Sequence, residues 1–291
     1  MEQEQINLTN IILDSINELF SQMFSSIDNT IYKLLDEIVF ISPNIIQDNL
    51  FQKILGTNSS NGILLICNSL ILGFILYYSI NYLFSHLTYS KIDTPKQFIF
   101  KSIIFIALMN SSFWICEQII NIIYLITMNI SNIGNTLFSS NISFSTFIDN
   151  INQTIYLSDN SFNLFSFNGI IKSFTSFGLI NLIFTYSLRY IMVQIFVLIS
   201  PFAFLSLLTN KSEKFFQVWF KSLISLLLVQ ILISLILLLS FTINISSDSN
   251  LSKLLFIGII HALIRANSYV KELFGGISTT ITNGISILNK N

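Results

Sequence analysis

Two long uncharged runs constrain this chain more than any other feature of its sequence. Residues 190–210 form a run of 21 residues without a charge, and residues 222–247 form a second run of 26. About 20 helical residues cross a hydrocarbon core roughly 30 Å thick, and backbone amides away from water must pair within a helix. The charged residues between the runs are Lys211, Glu213, Lys214 and Lys221. The pattern predicts two membrane-crossing helices joined by a short turn.

The composition agrees with a membrane protein. Hydrophobic residues make up 52% of the chain and charged residues 10%, whereas soluble proteins average about 25% charged residues. Two cysteines, Cys67 and Cys116, fall in apolar runs, where buried thiols are expected rather than a disulfide framework. The heavy use of Ile, Asn, Phe and Ser indicates an AT-rich genome, most simply that of a low-GC bacterium.

Residues 1–55 are predicted to form an amphipathic helical region. Its apolar residues recur every three or four positions, which is typical of an amphipathic helix, with a break expected near Ser25 and Ser26 and a stop at Pro43. The region is too charged to cross a membrane, so it should lie along the surface or against a neighbouring protein. The eight acids of residues 1–50, against the single Lys33 there, favour protein over anionic lipid.

Residues 56–270 are predicted to form an all-α bundle of about five transmembrane helices. We expect spans at residues 62–84, 103–128, 178–208, 215–239 and, if it continues as far as Val270, 254–270. Pro95 should stop a helix before the second span, and Pro201 should bend the long third span. A polar loop is expected at 129–168, and a tail at 271–291.

The basic residues predict the orientation. With the N-terminus outside, nine of the fourteen Lys and Arg residues fall in segments on the inner side and four on the outer side, while Arg189 lies in the membrane. Cytoplasmic loops carry an excess of basic residues. The distribution therefore predicts a multi-pass protein of the bacterial cytoplasmic (inner) membrane, with an outward loop 129–168 and a cytoplasmic C-terminal tail.

Motifs for catalysis do not occur in the sequence. It contains no GxxxxGK[ST], HExxH, CxxC or GxSxG pattern. With only His86 and His261, a histidine-based metal or catalytic centre is hard to assemble. We expect a protein that is not an enzyme and that holds no cofactor or metal.

Polar residues inside the predicted spans are the candidate site residues. Glu117 and Arg189 lie equally far from the outer ends of their spans, so we predict an ion pair that fixes helix register or, alternatively, a charge that lines an aqueous path. Gln194 and Gln230 could hydrogen-bond between helices. Trp219 is expected at the inner membrane interface.

The central hairpin resembles one protein family. The residues that carry the resemblance are Leu188-Arg189-Tyr190, Ser200-Pro201-Phe202-Ala203, Phe215 to Lys221 and Gln230, together with Tyr269 to Gly276. These are similar to TrbL-type proteins, the polytopic inner-membrane components of type IV secretion and conjugation systems. The most specific features are Pro-Phe-Ala at the end of the third span and Trp219-Phe220-Lys221 at the start of the fourth. The resemblance covers roughly residues 60–276.

The resemblance implies a channel or platform subunit. Such a protein would contact membrane lipid, copies of itself and other secretion subunits, and would transiently contact translocating single-stranded DNA or protein. By analogy, Arg189, Pro201, Trp219 and Lys221 lie where family members carry recurrent residues. The outward loop would face the substrate or a pilus-tip partner.

Two other functions remain open on the sequence. A permease subunit of an ABC-type exporter of small molecules or peptides is also apolar and carries no ATPase. Such permeases usually have an even number of spans and a cytoplasmic coupling helix, which the turn at 209–214 is too short to hold. A membrane protein of phage defence or immunity is the third possibility.

Overall fold

The fold is a bundle of long helices. A computed structural model describes residues 8–57, 61–88, 94–156, 166–209, 212–243 and 250–275. The regular elements in these ranges are all helical, which confirms the all-α prediction. They are α1 (Leu8–Val39), α2 (Asn44–Gln47), α3 (Asn49–Leu55), α4 (Ile63–Thr88), α5 (Pro95–Asn110), α6 (Ser112–Phe138), α7 (Phe144–Tyr156), α8 (Phe167–Leu205), a 3-10 turn (Ser206–Leu208), α9 (Glu213–Ser240) and α10 (Asn250–Phe274).

Five helices in the described part of the chain are long and apolar enough to cross a membrane, as predicted. They are α4, α6, α8 extended to Leu208, α9 and α10. The fifth helix does continue past residue 264, as a full crossing requires. Helix α8 begins at Phe167, well before the predicted start at Gly178, and so includes the buried Lys172. The chain is a multi-pass membrane protein.

The second predicted span is divided at Ser111. Helix α5 ends at Asn110 and α6 begins at Ser112, so the crossing helix runs to Phe138 instead of residue 128. The prediction that Pro95 stops a helix is wrong, because Pro95 is the first residue of α5. A first-turn N–H has no helical acceptor, so proline is tolerated there. The Thr94 hydroxyl accepts from the Gln97 N–H, and the Thr94 N–H donates to the Gln97 side chain.

The segment predicted as a polar loop, 129–168, contains two helical stretches. Helix α6 continues through its first part as far as Phe138, and α7 packs its apolar side into the bundle. Gly134 allows the residues that connect α6 to α7 to pass close to α6, since a Cβ there would lie 1.7 Å from Cδ1 of Ile142. The buried residues of α7, whose spacing of three and four is helical, are Phe144, Phe147, Ile148 and Ile151. Residues 157–165 of the predicted loop and 276–291 of the predicted tail lie outside the described residues.

Helix α1 is continuous, so the break predicted at Ser25 and Ser26 is wrong. It ends at Val39 rather than at Pro43, which precedes the short helix α2. Its last turns pack against α8 of the same chain, with Leu35 and Val39 fully buried. The prediction that it lies flat on a surface or on a neighbouring protein therefore fails for this end. The half that contains Ile12 and Leu19 is exposed.

Candidate functional site

The candidate site surrounds residues 39–47, which we call the inserted segment. This segment begins at the last residue of α1 and ends with α2, and it contributes the buried residues Ile41, Ile45 and Ile46 to the bundle. Nη2 of Arg189 donates a hydrogen bond of 2.9 Å to the carbonyl oxygen of Val39, the last residue of α1. The last carbonyls of a helix have no helical donor and carry a partial negative charge. The buried guanidinium is therefore held at a helix C-terminus.

Two glutamines from the crossing helices also contact the main chain of the inserted segment. The N–H of Ile41 donates to Oε1 of Gln230 at 3.1 Å, and Nη2 of Arg189 reaches the same oxygen at 3.4 Å. Nε2 of Gln194 donates to the carbonyl oxygen of Ile45 at 3.4 Å. The expected hydrogen bonds between helices are those of Gln194 with Ile45 of α2 and of Gln230 with Arg189 of α8. Their shared partner, the inserted segment, was not predicted.

The predicted ion pair between Glu117 and Arg189 is wrong. Oε1 of Glu117 accepts a hydrogen bond of 2.8 Å from Nε2 of Gln47, and in the described part of the chain the two charges do not meet. Counted back from the end of α6 and forward from the start of α8, Glu117 and Arg189 still lie at nearly the same depth. Each charge instead bonds a residue of the inserted segment, Arg189 the Val39 carbonyl and Glu117 the Gln47 side chain.

Several polar hydrogens of this cluster have no hydrogen-bond partner among the described residues. They belong to Nε and Nη1 of Arg189 and to Nε2 of Gln230, and both side chains are fully buried. The Arg189 guanidinium carbon also lies 5.6 Å from the centre of the Tyr186 ring, within the range of a cation–π contact. The site therefore holds one buried positive charge with an aromatic face and a helix end as its nearest compensation.

Trp219 forms a second polar contact between α9 and α8, in the turns of α8 that precede Pro201. Pro201 lacks the N–H that would bond the Val197 carbonyl, and the Ser200 hydroxyl donates to that oxygen at 2.7 Å. Nε1 of Trp219 donates to the neighbouring Phe196 carbonyl at 2.8 Å. Trp219 is only 2% exposed, so its indole faces the inside of the bundle. Its expected depth, at the inner membrane interface, stays a prediction.

Lys221, two positions beyond Trp219 in α9, is exposed. Its side chain therefore takes no part in the buried contacts that surround Trp219. Its predicted position on the inner side of the membrane stays a prediction.

Asp36 is a site residue that sequence reasoning missed. Its carboxylate accepts hydrogen bonds from the backbone N–H groups of Phe144, at 2.8 Å, and Ser145, at 3.5 Å, and so caps the start of α7 from α1. Burial raises the pKa of Asp36, and these two hydrogen bonds lower it by less. No local pattern signals a cap supplied from a helix so distant in the sequence.

A cavity of about 690 Å³ lies beside the inserted segment. Two carboxylates, two tyrosines, and several amides and hydroxyls face it, and none of its lining residues is basic. The polar residues of α6 that line it are Tyr124, Thr127, Ser131, Asn132 and Asn135. Within the described ranges no group of three His, Cys, Asp or Glu residues could hold a metal ion. The cavity is suited to water or to a neutral or cationic polar solute.

Comparison with protein-family models, with curated proteins and with solved structures finds no match to this chain.

Proposed function

We propose that this protein is a non-enzymatic channel or platform subunit of a type IV secretion system in the bacterial cytoplasmic membrane. The observation that carries the proposal is the convergence of the residues on which the resemblance rests. Arg189 and Gln230 meet at the inserted segment, and Trp219 bonds the α8 backbone beside Pro201. The residues Arg189, Gln230 and Trp219, on which part of the resemblance rests, thus take part in the contacts of α8 and α9.

The form of α1 supports a platform role. One end of this 32-residue helix is held in the bundle, while its exposed half carries Asp14 and Glu18 beside exposed Ile12 and Leu19. With the N-terminus outside and the C-terminal tail in the cytoplasm, that half would face other secretion subunits. Nucleotide hydrolysis would fall to another subunit, because the sequence has no phosphate-binding GxxxxGK[ST] motif.

The charges that line the cavity bear on the path of the cargo, single-stranded DNA or protein. Asp36 and Glu37 line the cavity with no basic residue opposite them. Nucleic acid is held through its phosphates by Lys and Arg. If DNA is the cargo, we infer that it passes between subunits and not through this cavity.

The cavity also favours a second candidate function, the permease subunit of an ABC-type exporter. Pockets for small molecules typically measure about 300–1,000 Å³, and this one, at about 690 Å³, is lined by residues of a single chain. A polar or cationic small molecule would suit its lining. The odd number of spans in the described residues remains less typical of such subunits.

Deletion of the gene in the source bacterium distinguishes the two functions. The secretion proposal expects loss of conjugative DNA transfer or of protein secretion, restored by the wild-type gene and much less by Gln230→Leu. The matched control is Leu235→Ala, in the same helix but 46% exposed, which should restore function fully. Intact transfer and secretion together with loss of small-molecule export would overturn the proposal in favour of the permease.

A further inference from the structure

A groove lies between α8 and α10. Its volume is about 250 Å³, and it shares no lining residue with the cavity beside the inserted segment. Nζ of Lys253 bonds Oδ1 of Asn168 near the starts of the two helices. Further along, a Cβ at Gly178 would lie 2.5 Å from Cγ2 of Ile260, so the helices run parallel. Both are long and apolar enough to cross a membrane, and lipid therefore surrounds the groove.

The walls of the groove are mainly apolar and are open on one side. Phe174 is 63% exposed and Phe177 57%, so these two rings form an edge that lipid can reach. The apolar lining residues are Phe174, Phe177, Gly178, Ile257, Ile260 and Ile264. A molecule dissolved in the membrane can therefore enter the groove from the side.

Three polar residues, Thr175, Asn181 and His261, complete the lining. Thr175 is 1% exposed, and its Oγ1 has no hydrogen-bond partner among the described residues. Oδ1 of Asn181 accepts from Thr185 at 3.4 Å, but its Nδ2 has no acceptor in the described part of the chain. His261 lies near the middle of α10 and makes no hydrogen bond with a described residue. Three side-chain donors thus face the groove without an acceptor.

The hydroxyl of Thr175 does not bond its own helix. A helical Ser or Thr commonly donates to the carbonyl four residues earlier, as Ser173 does in α8 and Thr127 in α6. Thr175 makes no such bond and lines the groove instead. Hydrocarbon offers no acceptor, and an unsatisfied polar group there is costly. The hydroxyl is therefore placed for an oxygen that neither the described chain nor a lipid tail supplies.

The spacing of the donors indicates the shape of the missing acceptor. Thr175 and Asn181 are six residues apart on α8, about 9 Å along the helix axis. The lining between them is apolar, with Phe177 and Gly178 on α8. A single ester or hydroxyl group would satisfy one end of the groove only. A flat apolar ring with an acceptor oxygen on each of two opposite sides would satisfy both.

We propose that the groove between α8 and α10 binds the head group of a lipid-soluble quinone. The Thr175 hydroxyl donates to one carbonyl oxygen and the Asn181 amide to the other, while His261 closes the groove from α10. An apolar pocket with a few placed polar groups is typical of small-molecule sites, which measure about 300–1,000 Å³. At about 250 Å³ the groove holds the ring and leaves the tail in lipid. The binding does not depend on the proposed role in secretion.

Equilibrium binding of a decyl-substituted methylnaphthoquinone tests the site. The full-length protein in phospholipid nanodiscs should bind it saturably, above the partitioning into empty nanodiscs. Thr175→Val and Asn181→Leu should each weaken binding by about 2- to 12-fold, the range that corresponds to one hydrogen bond. Ser176→Ala is the matched control and should bind like wild type. Ser176 is also fully buried with an unpaired hydroxyl among the described residues, but it does not line the groove.

A second ligand and a stability measurement separate recognition from partitioning and from folding. Decyl-substituted methylnaphthalene, which lacks both carbonyl oxygens, should bind at least about fivefold more weakly than the quinone. Ligand-free Thr175→Val should unfold at a temperature no lower than wild type, because the hydroxyl has no partner to lose. Equal affinity for the two ligands, no saturable quinone binding, or equal losses for Ser176→Ala and Thr175→Val would overturn the proposal.

Discussion

The Arg189 guanidinium and the Val39 carbonyl join two helices that lie far apart in the sequence. Nη2 of Arg189 lies 2.9 Å from the carbonyl oxygen, and both residues are fully buried. A charge of this kind is usually paired with an acid. Here the negative end of α1 and the oxygen of Gln230 take that place. The contact holds the end of an amphipathic helix at the level of the middle of span α8.

A double-mutant cycle should show that Arg189 is coupled to Gln230. Both side chains bond the inserted segment and lie 3.4 Å apart, so Arg189→Leu and Gln230→Leu should interact by about 0.5–3 kcal/mol in the free energy of unfolding. The same cycle with Glu117→Gln should give a smaller interaction, because Glu117 bonds Gln47 instead. Thermal unfolding in detergent measures both. A larger interaction energy between Arg189→Leu and Glu117→Gln would indicate that Glu117 and Arg189 do form an ion pair.

Asp36→Ala should destabilise the protein by about 1 kcal/mol, the typical value of a helix cap. Asp36→Asn retains an oxygen acceptor for the Phe144 N–H and should cost less. Chemical unfolding of the two variants and wild type measures the difference. Equal losses for the two variants would mean that the side-chain oxygen does not act as a cap.

The pH dependence of stability should reveal the same carboxyl group. Burial raises the pKa of Asp36 above its ordinary value of 3.8, so the protonated form is favoured more in the folded state than in the unfolded state. The stabilisation that comes from this difference in the pKa of Asp36 is present in full below pH 3.8, and it decreases as the pH rises through the raised pKa. Unfolding measured across this range should show a smaller decrease for Asp36→Asn than for wild type.

Trp219 should behave as a buried tryptophan. In Trp114→Phe protein, where it is the remaining tryptophan, its emission should resist quenching by a water-soluble quencher, because it is 2% exposed. Trp219→Phe removes the hydrogen bond to Phe196 and should cost about 0.5–1.5 kcal/mol, the usual net contribution of one hydrogen bond, because the Phe196 carbonyl lies within α8 and keeps its helical donor. Trp114→Phe is the control and should be nearly neutral, as Trp114 is 61% exposed. Strong quenching of Trp219 would mean that its indole is accessible to water and is not buried in the bundle.

Labelling from outside the cell tests the predicted orientation. Single cysteines replacing Asn141 and Glu272, both exposed, should react with a membrane-impermeant maleimide from opposite sides. Wild-type protein should show little background, because Cys67 and Cys116 are fully buried. The excess of basic residues on one side predicts that Asn141→Cys is labelled outside and Glu272→Cys is not. Labelling of both from the same side would contradict an odd number of crossings.

The sequence by itself determined the crossing helices. An uncharged run of about 20 residues has few alternatives to a helix in lipid, because its backbone must bond to itself. For that reason α4 and α9 agree with expectation. The division at Ser111 was missed because Asn110, Ser111 and Ser112 interrupt the run without a charge or a proline. The helical character of 129–168 was missed because its polar residues outweigh the apolar spacing of α7.

Only the tertiary structure decided the partners of the polar residues. Sequence spacing placed Glu117 and Arg189 at corresponding depths, but the rotation of each helix depends on packing against all its neighbours. Insertion of residues 39–47 changed those neighbours and supplied backbone groups at the end of α1, which bind Arg189 and Gln230. The contact of Trp219 with Phe196 follows likewise from the close approach of α8 and α9. Helical periodicity defines the faces of one helix, and only the folded bundle determines which faces meet.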